Sequence, residues 1–198
     1  MFTRFRTNQR GVAAIEFAMI LPALVTIYFG TVELTRIGDT TRKLTLFARA
    51  LADLSGRADN PSPSASDMTT IASAASAIMQ PLDVSGLQIV VSAMGVESVG
   101  GTLFGGVCSS WAQNATARAR LVIAGTNGVP AAPATYQFDG ARYILAEVSM
   151  TYTPLIGSSL YRWIFGTRQL TFTRQIPWAE RTTNEIVMPG GAACPNYS

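Results

Sequence analysis

The chain has 198 residues, 48% of them hydrophobic, with a formal net charge of +3, two cysteines and no histidine. Such a length accommodates one modest domain plus an anchor, and the lack of histidine removes the usual general base, the Ser-His-Asp triad and the commonest metal ligand. Arg4, Arg6 and Arg10 carry the whole charge excess, while from Val12 onward twelve basic and twelve acidic residues balance without a basic, aromatic-interleaved stripe, so a nucleic-acid partner is not expected.

Residues 1–11 form a basic leader, and residues 11–29 are an apolar run interrupted by one carboxylate, Glu16. As a helix, residues 12–29 would span about 27 Å, near the thickness of a bilayer core. Arginines before the span, against mixed signs after it, place the N-terminus in the cytoplasm. A cleaved secretory signal needs a short apolar region ending in a small-x-small site. Here the run leads into Gly30-Thr31-Val32-Glu33-Leu34-Thr35-Arg36, with no such site and no cysteine for lipid attachment. A plain transmembrane anchor remains an alternative, Pro22 included, because membrane helices tolerate proline where neighbours satisfy the freed carbonyl. A carboxylate in such a segment costs about 2.5–3.5 kcal/mol at the centre and less near the edge. Glu16 therefore either snorkels into the headgroups or has a partner.

The ordered string Arg10-Gly11-Val12-Ala13-Ala14-Ile15-Glu16-Phe17 resembles the processing site of type IV pilin-like precursors. Extended through Pro22, with Gly30 and Glu33 beyond it, the pattern closely resembles TadE-like proteins, which are minor pilins or pseudopilins of bacterial tight-adherence (Flp) pilus machinery. The resemblance is strong over residues 10–34 and is echoed weakly by Trp111 and by Glu-Val-x-Met-x-Tyr-x-Pro-Leu at 147–155. It implies cleavage between Gly11 and Val12 by a prepilin peptidase and assembly roles for Glu16 and Phe17. It also implies as partners the membrane, other pilins or pseudopilins, and an inner-membrane assembly platform. Cleavage would expose an α-amino group on Val12, charged at neutral pH, one helical turn from Glu16. In a bundle of subunits, Glu16 could pair with a neighbour's amine, which replaces an isolated buried charge by a partnered one and sets the axial register.

Nothing in the sequence stops the helix at Phe29. Residues 31–54 contain no proline and only Gly38 as glycine, and Ile37, Leu44, Phe47, Leu51 and Leu54 recur as one stripe. Asp39, Arg42, Lys43, Arg49 and Asp53 are left mainly for other faces. One helix over about 12–55 is predicted, transmembrane over 12–30 and amphipathic over 31–55. Residues 56–66 read as a loop. Asp67 is the expected N-cap of a helix over 68–80, closed by Pro81, with Ile71, Ala74, Ala75 and Ile78 as its apolar face. A strand is predicted at 87–96, a glycine-rich turn at 100–106, a further strand within 111–115 and a loop at 125–135. Residues 142–153 are the clearest strand, with Ile144, Ala146, Val148, Met150 and Tyr152 toward the helix. A short helical or interfacial turn is expected at 160–165, and a last strand at 169–175 with Leu170, Phe172 and Arg174 on one side. A polar tail is expected from about Pro177. Helix first and antiparallel strands later make an α+β fold, a long N-terminal helix with a small extracytoplasmic head over 56–198.

Cys108 and Cys194 lie far apart without C-x-x-C spacing, which does not suit zinc. They suggest one long-range disulfide if the head is exported, and two unpaired thiols otherwise. No catalytic residue or cofactor is expected. Lys43, the sole lysine, sits on a charged helix face; no Lys- or Arg-bearing helix start follows the glycines; Glu97, Asp139 and Glu147 show no dyad spacing. Two non-catalytic functions compete: a minor pilin-like component of pilus assembly or secretion machinery, or a single-span periplasmic scaffold or binding protein that is never processed or polymerised. An anchored enzyme would need a site built from Ser, Asp, Glu and Tyr alone. The expected location is the bacterial inner membrane, N-terminus cytoplasmic and head periplasmic, with entry into a surface pilus left open.

Overall fold

The first element is a single helix, α1, Val12–Ser55, running through Pro22 without a break. The computed structural model describes residues 12–57, 60–154, 162, 166, 169–181 and 185–195. The leader with Gly11 lies outside the described residues, as does the turn expected at 160–165 apart from Arg162. The chain divides into two compact units, residues 1–39 with 154–168 and residues 40–153 with 169–198.

In the first unit every residue from 12 to 31 is exposed. Three threonine hydroxyls are satisfied within the helix: Thr26 Oγ1 donates to the Pro22 carbonyl at 2.8 Å, Thr31 to Ile27 at 2.8 Å and Thr35 to Thr31 at 2.9 Å. Such i−4 bonds spare a threonine from needing water. Glu33 is buried, whereas its neighbour Leu34 is exposed.

In the second unit α1 changes character. Leu44, Phe47, Ala48, Leu51 and Ala52 are buried in the larger core cluster, each large side chain contributing about 1.5–3 kcal/mol relative to exposure. Leu54, expected on this stripe, is 40% exposed. The buried arc is centred between Leu44 and Ala48, and Leu54 falls about a quarter turn away at 3.6 residues per turn. Asp53, expected on a solvent face, accepts from Trp178 Nε1 at 2.9 Å and pairs with Arg57 at 2.8 Å and Arg181 at 3.4 Å. The second helix, α2, is Ala65–Ser76. Ser64, not Asp67, is its N-cap: the Ser64 side chain accepts from the Asp67 N–H while the Asp67 carboxylate accepts from the Ser64 N–H. Asp67 is thus the acidic half of a capping box, and a 3-10 turn, Ala77–Met79, follows α2 before Pro81.

Among the described residues, β1 (Gln88–Val99), β2 (Thr102–Gln113), β3 (Arg142–Tyr152) and β4 (Leu170–Ala179) form an antiparallel sheet in the order β2-β1-β3-β4. The α+β architecture of a long N-terminal helix and a small antiparallel sheet is as expected, but two boundaries move. The turn after β1 is only Gly100 and Gly101, with φ of +58° and +82°, the two positive angles of a type I′ hairpin. Gly105 and Gly106 belong to β2, whose ladder begins at the Val99–Thr102 pair. At the other end β4 continues through Pro177 and Trp178, which an edge strand permits because one side of its backbone needs no ladder donor. Ile186 and Met188 beyond it are fully buried, so the segment past Pro177 is not a polar tail.

Both sheet faces are packed. Ile89, Val91, Ala93, Trp111, Ile144, Ala146, Val148 and Met150 meet the helices. On the reverse face Met94, Val96, Val107, Tyr143 and Leu145 are covered by Val122, Ala124, Val129, Ala132 and Tyr136 of the β2–β3 connection. Tyr136 stacks on Tyr143 with ring centroids 4.7 Å apart, and burial pushes the Tyr143 hydroxyl up to about 12. Irregular chain carries no apolar period, so this second cluster has no sequence signature.

The off-centre position of Leu54 sets a contrast. Leu51→Ala should destabilise the head by about 2–5 kcal/mol, while Leu54→Ala should stay within about 0.5 kcal/mol, measured by chemical unfolding of the two variants.

Candidate functional site

Two regions carry the residues singled out from the sequence. The first is the start of α1. Val12, Glu16 and Phe17 are all exposed, and their i, i+4 and i, i+5 spacing puts Val12 and Glu16 on one face of the helix. The helix passes the length and composition test for a membrane span, and none of its most apolar stretch is buried in the protein. The exposed apolar surface of its described residues is compatible with a lipid-facing or subunit-facing helix.

The second region is built around Cys108 and Cys194, which form a disulfide with Cα atoms 4.6 Å apart across a separation of 86 residues. Its position follows from a β-bulge. Ala93 pairs with Ser109 and Met94 with Val107, so Cys108 is the extra residue, and a bulge re-aims the side chain it inserts. Gly95 lies directly beneath: a Cβ there would stand 2.6 Å from Cys194 Sγ and 3.0 Å from Cys108 Sγ. Closing so long a loop restricts the unfolded chain by about 4–5 kcal/mol in the chain-entropy account. The disulfide ends a strap, residues 185–195, that lies on the core. Ile186 and Met188 are buried, Met188 N–H donates to Ser109 Oγ at 2.9 Å, and Val187 N–H donates to the Pro61 carbonyl at 2.7 Å.

Charges gather at the same place. Arg142 pairs with Glu97 and approaches Glu185 at 3.9 Å, and the Cys194 N–H donates to Glu185. Glu185 and the two sulfurs lie within 4.8 Å of one another, but with the sulfurs bonded to each other this is a disulfide beside a carboxylate and not a set of thiolate ligands. Glu180 is raised to about 7, chiefly by burial and further by Glu185, against the pull of the Ile186 N–H and Arg142. Its Oε1 is buried with no hydrogen-bond partner.

The other candidates have structural partners. Glu147 is 7% exposed and takes a bidentate pair from Arg118 at 2.8 and 2.9 Å and a third bond from Gln175 at 2.8 Å. Arg118 also donates to the Asn127 carbonyl, which ties the β2–β3 connection to the sheet. Asp139 accepts from the Ser98 N–H at 2.6 Å, and Lys43 Nζ donates to the Gln80 carbonyl at 2.8 Å. Sequence reasoning missed the positions around the disulfide, Gly95, Arg142, Glu180 and Glu185, because a bulge and a strap bring them together and neither leaves a periodic mark.

Residues 11–53 match the family model described as TadE-like protein, a family of Tad pilus components. The match covers α1 almost entirely, and a TadE-like protein with a single-pass membrane anchor is consistent with it. No curated protein and no solved structure matches the chain.

Two outcomes follow from the disulfide region. Gly95→Ala should displace the sulfurs and cost about 1–3 kcal/mol as an overpacked site, read as a lower unfolding midpoint together with a mass-spectrometric count of free thiols. Glu180 keeps its proton to about pH 7 when folded, against 4.5 as its ordinary value. Its contribution to stability is therefore complete below pH 4.5, declines as pH rises through that window and levels off above about 7. Glu180→Gln should flatten the decline in unfolding free energy between those two values.

Proposed function

We propose that the chain is a minor pilin-like, pseudopilin component of tight-adherence pilus assembly or secretion machinery, with a non-catalytic role. The observation that carries this reading is the bare apolar start of α1 holding Glu16, within the segment that matches TadE-like proteins. Residues 12–30 would cross the inner membrane with the leader in the cytoplasm. The Cys108–Cys194 disulfide supports an oxidising compartment, hence a periplasmic head. Cleavage between Gly11 and Val12 by a prepilin peptidase would create the α-amine, and Glu16 would pair with that amine on a neighbouring subunit. Phe17 would pack in the same helix bundle. A buried ion pair of this kind sets register more than it adds stability.

N-terminal sequencing of the membrane-extracted protein should read Val12 first; an intact Met1 in cells that have the peptidase would exclude processing. Glu16→Val should leave membrane insertion unchanged and reduce assembled pili by about tenfold or more, the effect of losing one partnered buried charge. Normal piliation in that variant would remove the pairing role.

A further inference from the structure

The strap of residues 185–195 is tied to the head at both ends. Cys194 is bonded to Cys108, and just ahead of the strap the Arg181 N–H donates to the Gly56 carbonyl at 2.9 Å. Between these ties Ile186 and Met188 are buried. Two backbone donors add to the hold, Val187 to the Pro61 carbonyl and Met188 to Ser109 Oγ. The strap joins no ladder of the sheet, so it can open while the strands stay paired.

Glu180, the residue after β4, closes against this strap. Its carboxyl accepts from the Ile186 N–H, and its Oε1 is buried with no hydrogen-bond partner. Charged groups face it from two elements, Glu185 from the strap and Arg142 from β3. Arg142 is already engaged, paired with Glu97 of β1 and 3.9 Å from Glu185. Next along the chain, Arg181 pairs with Asp53 of α1 at 3.4 Å. The sulfurs of Cys108 and Cys194 are bonded and do not titrate. With Glu180 neutral, two carboxylates share the Arg142 guanidinium; with Glu180 ionised, three do. A carboxylate oxygen buried without a donor costs more than a neutral carboxyl in the same place. Water can supply that donor, and of the segments around Glu180 the strap is the one outside the sheet.

We propose that Glu180 is a pH-sensitive latch on the strap. Protonated, it holds residues 185–195 closed; ionised, it favours a form in which the strap swings out, water reaches the carboxylate, and Ile186 and Met188 are presented to solvent. Ionisation strengthens the bond from the Ile186 N–H, which opposes opening. Burial and the like charge of Glu185 outweigh it, since together they push the Glu180 carboxyl up to about 7 from 4.5. The sign follows: the latch is fully set below pH 4.5, weakens as pH rises through this window and levels off above about 7. The disulfide and the Arg181 tie persist in the open form, so the strap moves as a tethered loop and the sheet keeps its register.

The test is amide hydrogen exchange of the full-length protein in detergent micelles, from about pH 4.5 to about pH 8, with rates corrected for base-catalysed exchange of the free peptide. Protection of the Ile186, Val187 and Met188 amides should fall by about a hundredfold across that range. At every pH these amides should exchange well ahead of Val91 in β1 and Ala146 in β3, because the strap opens without the sheet. Glu180→Gln, or Glu180→Ala where the amide is not accommodated, should leave protection of the strap constant over the same range. Strap amides whose protection ignores pH in the unaltered protein would overturn the proposal. So would strap and sheet amides exchanging at one rate, which means opening only with the whole head, or a fall that survives in the folded Glu180 variants.

Discussion

One helix has to meet two different surroundings along its length. Over residues 12–31 α1 is largely apolar and every residue is exposed; from Leu44 to Ala52 it is apolar along one arc only, and that arc is the seam on which the sheet closes. The switch is made by composition alone. From Arg36 onward charged residues occupy the side of the helix opposite that arc, and the apolar surface narrows until it can be buried by a single neighbour. Without that seam β1 and β3 would present much of Ile89, Val91, Ile144 and Ala146 to water, since among the described residues the other helix in this cluster, α2, is only 12 residues long.

The rest of the head is organised by how its irregular segments are tied back to the sheet. The β2–β3 connection is held by Arg118, which satisfies a buried carboxylate and two loop carbonyls together. The final strap is held by the disulfide and by Ser109. In both cases a polar or covalent link does what an apolar period does for a helix: it chooses one conformation for a segment that has none by itself. The cluster about Arg142 is the exception, since it gathers three carboxylates around one guanidinium and leaves a buried Glu180 oxygen without a hydrogen bond. Natural proteins keep such unsatisfied groups sparingly.

Much of the fold was legible in the chain. The full extent of α1 followed from the absence of breakers and the narrowing stripe, and β3 from strict alternation between Tyr143 and Tyr152. The fold class followed from helix preceding strands. Less was legible where glycine or proline misled. Gly105 and Gly106 read as part of a turn because glycine usually punctuates, yet two residues complete a type I′ hairpin. Pro177 read as the end of structure, yet it stands on an edge where its missing N–H is not required. Asp67 read as the cap of α2, yet the hydrogen-bond directions make Ser64 the Ncap and Asp67 the N3 residue of a capping box.

Glu16 in its apolar run, the long helix and the α+β class are properties of local sequence, since each depends on residues within a few turns of one another. The cover on the reverse face, the bulge that turns Cys108 toward Cys194 and the strap that crowds Gly95 depend on contacts between segments far apart in the chain. Their physical basis is register and packing, which are settled only when all four strands and both helices compete for the same apolar surface.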